Sequence, residues 1–364
     1  MRAHHLPPMN NPGATPPRHL RVVLLSGLGD VVHGLPVINA MRDAYPDMRV
    51  TWVAEPMPAG VLQGHPSVDH IVVYRRAEGV SGVRDLRRQL ASLGRPDLTL
   101  NFNVYFKSIW PTLLSRGRRR IGFDRERSFE GVWLASNERI PARPRAHTAD
   151  MFLEFAEYLR LPVADPEWRL ELTQAERERQ DEFRLRFAGK PIATVIPASA
   201  SHKKDWMASR WAEVADSLAS DYGFQVVLAG GPGEREGKIA KEIVDRTRTH
   251  VEVAMGDSIR RLISIIGASS LVLAPDTGPV HIARALGVPV IGIYGHTNPW
   301  RVGPWRAYQD LWIDHYTEFR PDPTNRKPKW EVMHTIESSE VIDKVKVAVE
   351  NYGVLTAGRL DSTV

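Results

Sequence analysis

Residues 21–45 read RVVLLSGLGDVVHGLPVINAMRDAY. The first six residues are an apolar run of strand length that leads into a glycine, which predicts a buried strand. After the turn GLGD, apolar residues recur at helical spacing, at Val31, Leu35, Ile38 and Tyr45. A strand followed at once by a helix begins a βαβ unit, so this stretch predicts an α/β protein with a parallel sheet.

The same alternation continues along the first half of the chain and restarts in the second half. Further strands are predicted at residues 49–54, 68–74, 97–102, 120–123, 192–196, 224–229, 250–254, 271–274 and 288–294. We therefore predict two Rossmann-like domains, each built on a doubly wound parallel sheet. The domains are predicted over residues 20–170 and 171–336, after a disordered tail over 1–19 and before a terminal helix over 337–352. Ligands of such sheets bind at the carboxyl ends of the strands, so we expect a cleft there, between the two domains.

The composition is that of an ordinary globular protein, with 43% apolar and 25% charged residues among 364. Cysteine is absent, which excludes a disulfide framework, a thiolate metal site and a cysteine nucleophile. No apolar run approaches the roughly 18 residues that span a bilayer. The first 19 residues contain five prolines and no apolar segment of a secretory signal. We therefore expect a cytoplasmic protein.

The net charge of +5 is unevenly distributed. Residues 1–160 contain 22 Lys and Arg against 15 Asp and Glu, whereas residues 161–364 contain 26 against 28. The basic excess of the first half favours an anionic partner there, such as phosphate groups, nucleic acid or a membrane surface. A solvated arginine-rich surface explains the same counts equally well.

The turn SGLGD, residues 26–30, lies where a dinucleotide fold has its glycine-rich loop. The full glycine pattern is broken because position 32 is Val, and Asp30 would repel a pyrophosphate at this helix N-terminus. An ionised carboxylate at the mouth of the cleft is suited to accept a proton from an incoming hydroxyl group. The alternative is that Asp30 only caps the helix.

The segment APDTGPVHIARALG, residues 274–287, predicts a strand, a tight turn and a helix. The backbone amides of Thr277 and Gly278 can converge on an anion at the helix N-terminus, and His281 lies within reach of it. These features predict a phosphate-binding site. The alternative is a capped helix with a buried histidine.

Two further loops follow predicted strands of the second domain. In PASASHKKDW, residues 197–206, Ser199 and Ser201 offer hydroxyl groups, and Lys203 or Lys204 can neutralise a departing diphosphate. In AGGPGERE, residues 229–236, three glycines allow close approach of a ligand and Glu234 can accept hydrogen bonds from sugar hydroxyls. A polar surface loop and a glutamate at a helix N-terminus are the respective alternatives.

The first domain contains several basic residues near predicted strand ends that could bind a phosphorylated acceptor. They are Arg75, Arg76, Lys107, Arg116, Arg118, Arg119 and Arg120. A solvated basic face is the alternative for each of them.

Taken in chain order, these stretches resemble glycosyltransferase family 9, the ADP-heptose:lipopolysaccharide heptosyltransferases. The matching stretches are GLGDVVHGLPVINAMR, FKS, IGF, HTADMF, KKDWMASRWAEV, VVLAGGPGERE and GDSIRRLISIIGASSLVLAPDTGPVHIARALGVPVIGIYGHTNP. The resemblance extends over roughly residues 21–300, whereas the segments 296–305 and 322–330 are unusual.

The resemblance implies a GT-B type fold, with two Rossmann-like domains facing across a cleft, and an inverting transfer of heptose from ADP-heptose. The acceptor would be a phosphorylated glycolipid of the lipopolysaccharide inner core, bound with peripheral contact to the cytoplasmic face of the inner membrane. Neither a metal nor another cofactor is implied, and no nucleic acid is expected as a partner.

The resemblance also implies roles for individual residues. Asp30 would be the general base, and Lys204 would stabilise the ADP leaving group. The remaining donor-binding residues would be Ser199, Ser201, Glu234, Gly256, Asp257, Asp276, Thr277, Gly278 and His281. The acceptor-binding residues would be Lys107, Arg76, Arg119 and Arg120.

Three alternatives stay open on the sequence. The first is a transferase of the same fold that uses another nucleotide sugar. The second is a non-catalytic protein that binds a nucleotide sugar, because fold does not dictate activity. The third is a nucleotide-dependent oxidoreductase, against which the broken glycine pattern and Asp30 both argue.

Overall fold

A computed structural model describes residues 16–25, 27–162, 165–256 and 258–355. The chain forms two compact units, Met1–Glu171 and Leu172–Val364. We call them the first and the second unit and describe each by itself.

The first unit contains a six-stranded parallel sheet with helices packed against it. Its strands are β1 His19–Val23, β2 Arg49–Ala54, β3 His70–Val73, β4 Leu98–Asn101, β5 Arg119–Gly122 and β6 Glu138–Arg139. Its helices are α1 Leu28–Ala44, α2 Pro56–Leu62, α3 Val80–Ser92, α4 Ile109–Ser115 and α5 Thr148–Tyr158. The strand order is β3-β2-β1-β4-β5-β6, and every pairing is parallel.

The second unit repeats this arrangement. Its strands are β7 Ile192–Val195, β8 Gln225–Gly230, β9 Val251–Met255, β10 Leu271–Pro275, β11 Val290–Tyr294 and β12 Trp312–Asp314. Its helices are α6 Gln174–Leu185, α7 Ala208–Ser220, α8 Glu234–Arg246, α9 Ile259–Ala268, α10 Gly278–Ala285, α11 Pro299–Val302 and α12 Ser338–Tyr352. The strand order is β12-β11-β10-β7-β8-β9, again parallel throughout.

Both sheets have the doubly wound order in which the first and the fourth strand of the unit are neighbours. The chain leaves these two strands in opposite directions, which opens a crevice at their carboxyl ends. The crevice lies between β1 and β4 in the first unit and between β7 and β10 in the second. These two switch points are where ligand-binding loops are expected.

Apolar side chains buried on both faces of the sheets explain why the strands are near-continuous hydrophobic runs. Helix α1 is buried along most of its length and packs against α5. It approaches the sheet closely at Gly34, where a Cβ atom would stand 3.1 Å from Leu24 and 3.2 Å from the Trp52 ring. In the second unit, α12 packs against α7 and contributes Val341 and Val345 to the core.

The prediction of two doubly wound α/β units is confirmed, and most elements begin and end within a few residues of their predicted bounds. Strand β1 begins at His19, the last residue of the predicted tail, and residues 1–15 of that tail lie outside the described residues. The sequence analysis did not predict α2, α11, β6 and β12, of which the two strands have only two and three residues.

Candidate functional site

Four loops at the carboxyl edge of the first sheet bring charged side chains together. Asp30 lies in the first turn of α1, and Glu55 is the N-cap residue of α2. Arg76 opens a 3₁₀ helix after β3, and Lys107 lies in the 3₁₀ helix Phe106–Ser108 after β4. Because β3, β2, β1 and β4 are neighbours in the sheet, these four loops lie side by side.

The electrostatic interactions show that these four residues form one cluster. Arg76 Nε donates to Glu55 Oε1 at 2.9 Å. Burial lowers the pKa of Lys107, while the charges of Glu55 and Asp30 act to raise it and that of Arg76 lowers it. We call Asp30, Glu55, Arg76 and Lys107 the charged cluster of the first unit. The structure thus brings together Asp30, Lys107 and Arg76, three of the predicted site residues.

Glu55 is a member of this cluster that the sequence analysis missed. It directly follows β2, at the same sheet edge as the other predicted residues, and its amide donates to the Leu25 carbonyl at 2.8 Å. The signal that pointed to Asp30, a carboxylate just after a buried strand, is also present at Glu55.

The backbone before α1 places the Asp30 carboxylate close to Gly27. Gly27 has a φ of 85°, in the left-handed region that favours glycine. A Cβ atom on Gly27 would stand only 2.4 Å from Asp30 Oδ2. Therefore a side chain at position 27 would displace the carboxylate. Ser26 of the quoted SGLGD turn lies outside the described residues.

Buried amide side chains tie the loop after β1 to the loop after β4. Asn103 Oδ1 accepts from the Leu25 amide at 3.3 Å, and Asn103 Nδ2 donates to the Val23 carbonyl at 2.8 Å. Asn101 Oδ1 accepts from the Asn103 amide at 3.1 Å, and Asn101 Nδ2 donates to Ser108 Oγ at 3.3 Å. These contacts span the switch point and fix the loops that carry Asp30 and Lys107.

Arg119 and Arg120, which were predicted to bind the acceptor, do not lie with the charged cluster. Both are at the amino end of β5, whereas Asp30 and Lys107 follow the carboxyl ends of β1 and β4 in the same parallel sheet. Arg119 forms a bidentate pair with Glu138 at 2.8 and 2.6 Å. Arg120 donates to the backbone carbonyls of residues 135 and 117. Both guanidinium groups therefore have hydrogen-bond partners within the first unit.

In the second unit, Lys204 and Asp276 meet at the switch point. Lys204 ends the 3₁₀ helix His202–Lys204 after β7, and Asp276 directly follows β10. Lys204 Nζ lies 2.7 Å from Asp276 Oδ2. Burial opposes ionisation of Asp276, but Lys204, His281 and a hydrogen bond from Thr297 together lower its pKa below the usual value. The result is an ionised carboxylate that holds a partly exposed ammonium group.

The N-terminus of α10 adjoins this ion pair. Thr277 is the N-cap residue, Gly278 is the first helical residue, and His281 is buried one turn later. Backbone amides in a first helical turn have no acceptor within the helix and favour a bound anion. The structure therefore brings Lys204, Asp276 and the start of α10 together, in the arrangement predicted for a diphosphate site.

Ser199 shapes the loop after β7. Its buried hydroxyl group donates to the Ser201 carbonyl at 2.8 Å, and the Ser201 amide donates to Ser199 Oγ at 3.2 Å. Arg235 pairs with Asp205 and donates to the Ser199 carbonyl, which links this loop to the first turn of α8. The sequence analysis did not identify Arg235, because its partners come from a different loop.

The remaining predicted donor residues follow β8 and β9. Glu234 is largely exposed in the first turn of α8 and pairs with Lys238 at 2.6 Å. Gly256 leaves space for Arg261, whose Nη1 would stand 2.6 Å from a Cβ atom at this position. Asp257 lies outside the described residues.

The two unusual segments, 296–305 and 322–330, contact each other beyond β11. Asn298 Nδ2 donates to the backbone carbonyls of Asp322 and Asn325 at 2.7 and 3.0 Å. The Trp330 ring lies edge-on to His296, with centroids 5.5 Å apart, and Lys203 Nζ lies 4.1 Å from the centre of the Trp330 ring. A cavity of about 260 Å³ adjoins these segments. It is lined by Asn298, Tyr316, Thr317, Glu318, Phe319, Arg320, Asp322, Asn325 and Lys329.

The described ranges contain neither a membrane-spanning helix nor a group of metal-ligating side chains. No helix there is both long enough and apolar enough to cross a membrane. Nor do three or more His, Asp or Glu side chains of those ranges come together in a way that could hold a metal ion. That the protein needs no metal or other cofactor stays a prediction.

The sequence is similar to proteins of one family. The family model described as glycosyltransferase family 9 (heptosyltransferase) matches residues 83–327. The lipopolysaccharide core heptosyltransferase OpsX of Haemophilus influenzae is 34% identical over 296 residues, which are 81% of this chain and 84% of that protein. Lipopolysaccharide heptosyltransferase 1 of Pseudomonas aeruginosa is 26% identical over 312 residues, 80% of this chain and 82% of that protein.

Solved structures share the fold. A family 9 glycosyltransferase from Veillonella parvula superimposes with a TM-score of 0.79 at 22% identity and covers 92% of this chain and 97% of its own. The E. coli heptosyltransferase WaaC with ADP gives a TM-score of 0.71 at 20% identity and covers 90% of this chain and 99% of its own.

Proposed function

Since the chain belongs to glycosyltransferase family 9, the heptosyltransferases, we propose that it transfers a heptose from ADP-heptose to the inner core of a lipopolysaccharide. The observation that carries this proposal is the Lys204–Asp276 pair beside the N-terminus of α10, because it provides a site for a sugar diphosphate. In support, the relative OpsX is named a lipopolysaccharide core heptosyltransferase, and WaaC has been solved with ADP-2-deoxy-2-fluoro heptose.

The proposed reaction is a single displacement that inverts the anomeric centre. Asp30 accepts the proton of the acceptor hydroxyl group as its oxygen attacks the anomeric carbon. The bond between that carbon and the diphosphate oxygen breaks, and ADP leaves with the electron pair. General-base assistance of this kind contributes about 10²- to 10⁴-fold to a rate.

The second unit is proposed to bind the donor. Lys204 neutralises the charge that develops on the diphosphate, and the ionised Asp276 holds its ammonium group in place. The backbone amides of Thr277 and Gly278, together with His281, complete the diphosphate site at the start of α10. On the nucleotide side we propose Ser201, Glu234, Gly256 and Asp257, with Ser199 shaping the loop that carries Ser201.

The first unit is proposed to bind the acceptor. Lys107 and Arg76 lie in the same cluster as Asp30 and can bind phosphate groups of an inner-core glycolipid. Glu55 pairs with Arg76 and orients its guanidinium group. We also propose that the enzyme works at the cytoplasmic face of the inner membrane in peripheral contact with it, without a metal or other cofactor.

The test is an assay of Asp30→Asn with ADP-heptose and a lipid A–inner core acceptor. We expect the turnover number to fall by about 10³-fold, because the amide cannot accept the proton, while ADP affinity stays unchanged. Released ADP and the mass of the acceptor are the two readouts.

The matched control is Asp47→Asn, an exposed aspartate just before β2 at the opposite sheet edge. Unchanged turnover of Asp30→Asn would reject Asp30 as the base. ADP-heptose binding without transfer by the wild-type protein would reject the transferase assignment. A parallel screen of other nucleotide sugars tests the choice of donor.

A further inference from the structure

An exposed apolar surface lies beside the charged cluster of the first unit. Phe106, Trp110 and Leu113 follow one another at spacings of four and three residues along the 3₁₀ helix Phe106–Ser108 and α4. Their exposed fractions are 52%, 51% and 40%. Residues at such spacings share one face of a helix. The opposite face of α4, with Thr112 and Ser115, is buried.

A fourth exposed apolar side chain lies in an element that neighbours α4. Leu134 is 76% exposed and lies in the 3₁₀ helix Val132–Ala135, which packs against α4. The carboxylate of Glu130 accepts from the Phe106 amide at 3.0 Å, and the Tyr105 and Phe129 rings are stacked with centroids 5.4 Å apart. These contacts fix the backbone that presents Phe106 and Leu134.

Exposed arginines occur in and beside the same elements. Arg116 follows Leu113 at the end of α4 and is exposed. The Arg125 guanidinium group lies 5.3 Å from the centre of the Trp133 ring, and Arg139 donates to the Trp133 carbonyl. Both arginines therefore contact Trp133, the residue that directly precedes Leu134 in the chain.

The segment that contains these residues is basic in sequence, although Arg119, Arg127 and Arg143 are paired with glutamates. Residues 105–145 contain ten Lys and Arg against four Asp and Glu, a net charge of +6, whereas the complete chain has +5. Exposed aromatic and leucine side chains with arginines beside them combine the two properties that favour an anionic bilayer surface. A water-soluble anion would use the arginines and leave the apolar side chains unexplained.

We propose that Phe106, Trp110, Leu113 and Leu134 insert into the interface of an anionic phospholipid bilayer, with Arg116, Arg125 and Arg139 contacting the headgroups. This docking face rests on the membrane contact proposed above and assigns it to one surface. Lys107 lies in the same short helix as Phe106 and belongs to the charged cluster. Docking by this face therefore holds Asp30 close to the bilayer.

The test is co-sedimentation of the full-length protein with phosphatidylcholine vesicles that contain or lack phosphatidylglycerol. We expect wild-type protein to bind only the anionic vesicles and to be released by salt. Leu134→Ser should lower the partition coefficient about fivefold, because the variant loses part of the free energy of moving the leucine side chain from water into the bilayer interface. Arg125→Gln should lower it by a similar factor of about five, from one lost headgroup contact.

Matched controls come from the second unit. Leu185 is 78% exposed, so Leu185→Ser removes an equally exposed leucine, and Arg179→Gln removes an exposed arginine from the same helix. Both controls should bind vesicles as the wild type does. Thermal melting of all four variants checks that each is folded.

Two results would overturn the docking face. If the wild type binds anionic vesicles and Leu134→Ser and Arg125→Gln bind equally well, the face is wrong while membrane contact stands. If the wild type binds no vesicles, both the docking face and the proposed membrane contact are wrong. Loss of self-association in Leu134→Ser would then show that this face contacts a second copy of the chain. Heptosyl transfer is measured separately by ADP release, so its failure is distinguishable from either result.

Discussion

Single residues at the carboxyl edges of the sheets carry most of the proposed chemistry. The sequence could propose Asp30 as a candidate because it follows a buried strand, whereas the choice of Lys204 over Lys203 came from the family resemblance. It could not identify Asn103, whose importance comes from hydrogen bonds to Val23 and Leu25 about 80 positions earlier in the chain. Nor could it show that Arg119 pairs with Glu138, since a run of arginines predicts only positive charge.

At this scale, Gly27→Ala tests the placement of the proposed base. The new methyl group would meet the Asp30 carboxylate, so we expect the turnover number to fall by about 10- to 100-fold while ADP affinity is kept. Steady-state kinetics and calorimetric titration with ADP are the measurements. Gly79→Ala is the control, because Gly79 also has a positive φ but no atom lies near its Cβ position. Equal losses in both variants would contradict the explanation.

Among the elements, α6 shows how a helix without a buried residue is held in place. Three polar side chains of α6, spaced four residues apart, contact α9 or the residue range it spans. Glu176 pairs with Arg260. Gln180 donates to the Ser264 carbonyl and Arg184 to the Gly267 carbonyl. The charged run of this segment indicates a helix, but periodicity cannot reveal partners that are backbone carbonyls about 84 positions away.

The Glu176–Arg260 pair should make the anchoring of α6 depend on pH. The side-chain hydrogen bond from Arg260 is the largest factor that lowers the pKa of Glu176, to about 2 from 4.5. Because the folded pKa is the lower one, the stabilisation is present above pH 4.5 and is lost as the pH falls towards 2.

We therefore expect Glu176→Ala to speed amide hydrogen exchange in α6 at pH 7 and to have little further effect near pH 2. Glu182→Ala, an exposed change on the same helix, is the control and should leave exchange as in the wild type. Unchanged exchange in Glu176→Ala at neutral pH would show that other contacts hold the helix.

Across the whole molecule, the two units share the doubly wound strand order, and the chain has the GT-B type fold of its family. This level was the most predictable, because strand and helix periods recur over more than 250 residues. Strands β6 and β12 were missed because two or three residues carry no recognisable period. The sequence also gave no reason to expect that residues 322–330 contact Asn298.

If the second unit binds the donor, ADP should protect only part of the molecule. We expect the strongest slowing of hydrogen exchange in the loops that follow β7, β8, β9 and β10, because these loops carry the residues proposed to contact the diphosphate and the nucleotide. Exchange of the intact protein with and without ADP, resolved by peptide mass spectrometry, is the measurement. Protection concentrated at residues 27–31 instead would assign the nucleotide to the first unit.

The 3₁₀ helix Phe106–Ser108 has a consequence for the length of the acceptor. Phe106 belongs to the docking face and its neighbour Lys107 to the charged cluster. A single turn of backbone therefore carries both the proposed lipid-contacting side chain and a residue of the cluster that contains Asp30. If both proposals hold, this turn keeps the distance between the bilayer and Asp30 short. Only sugars close to the lipid can then place their hydroxyl groups at Asp30. A glycan already extended by several residues would carry its outer end past the base.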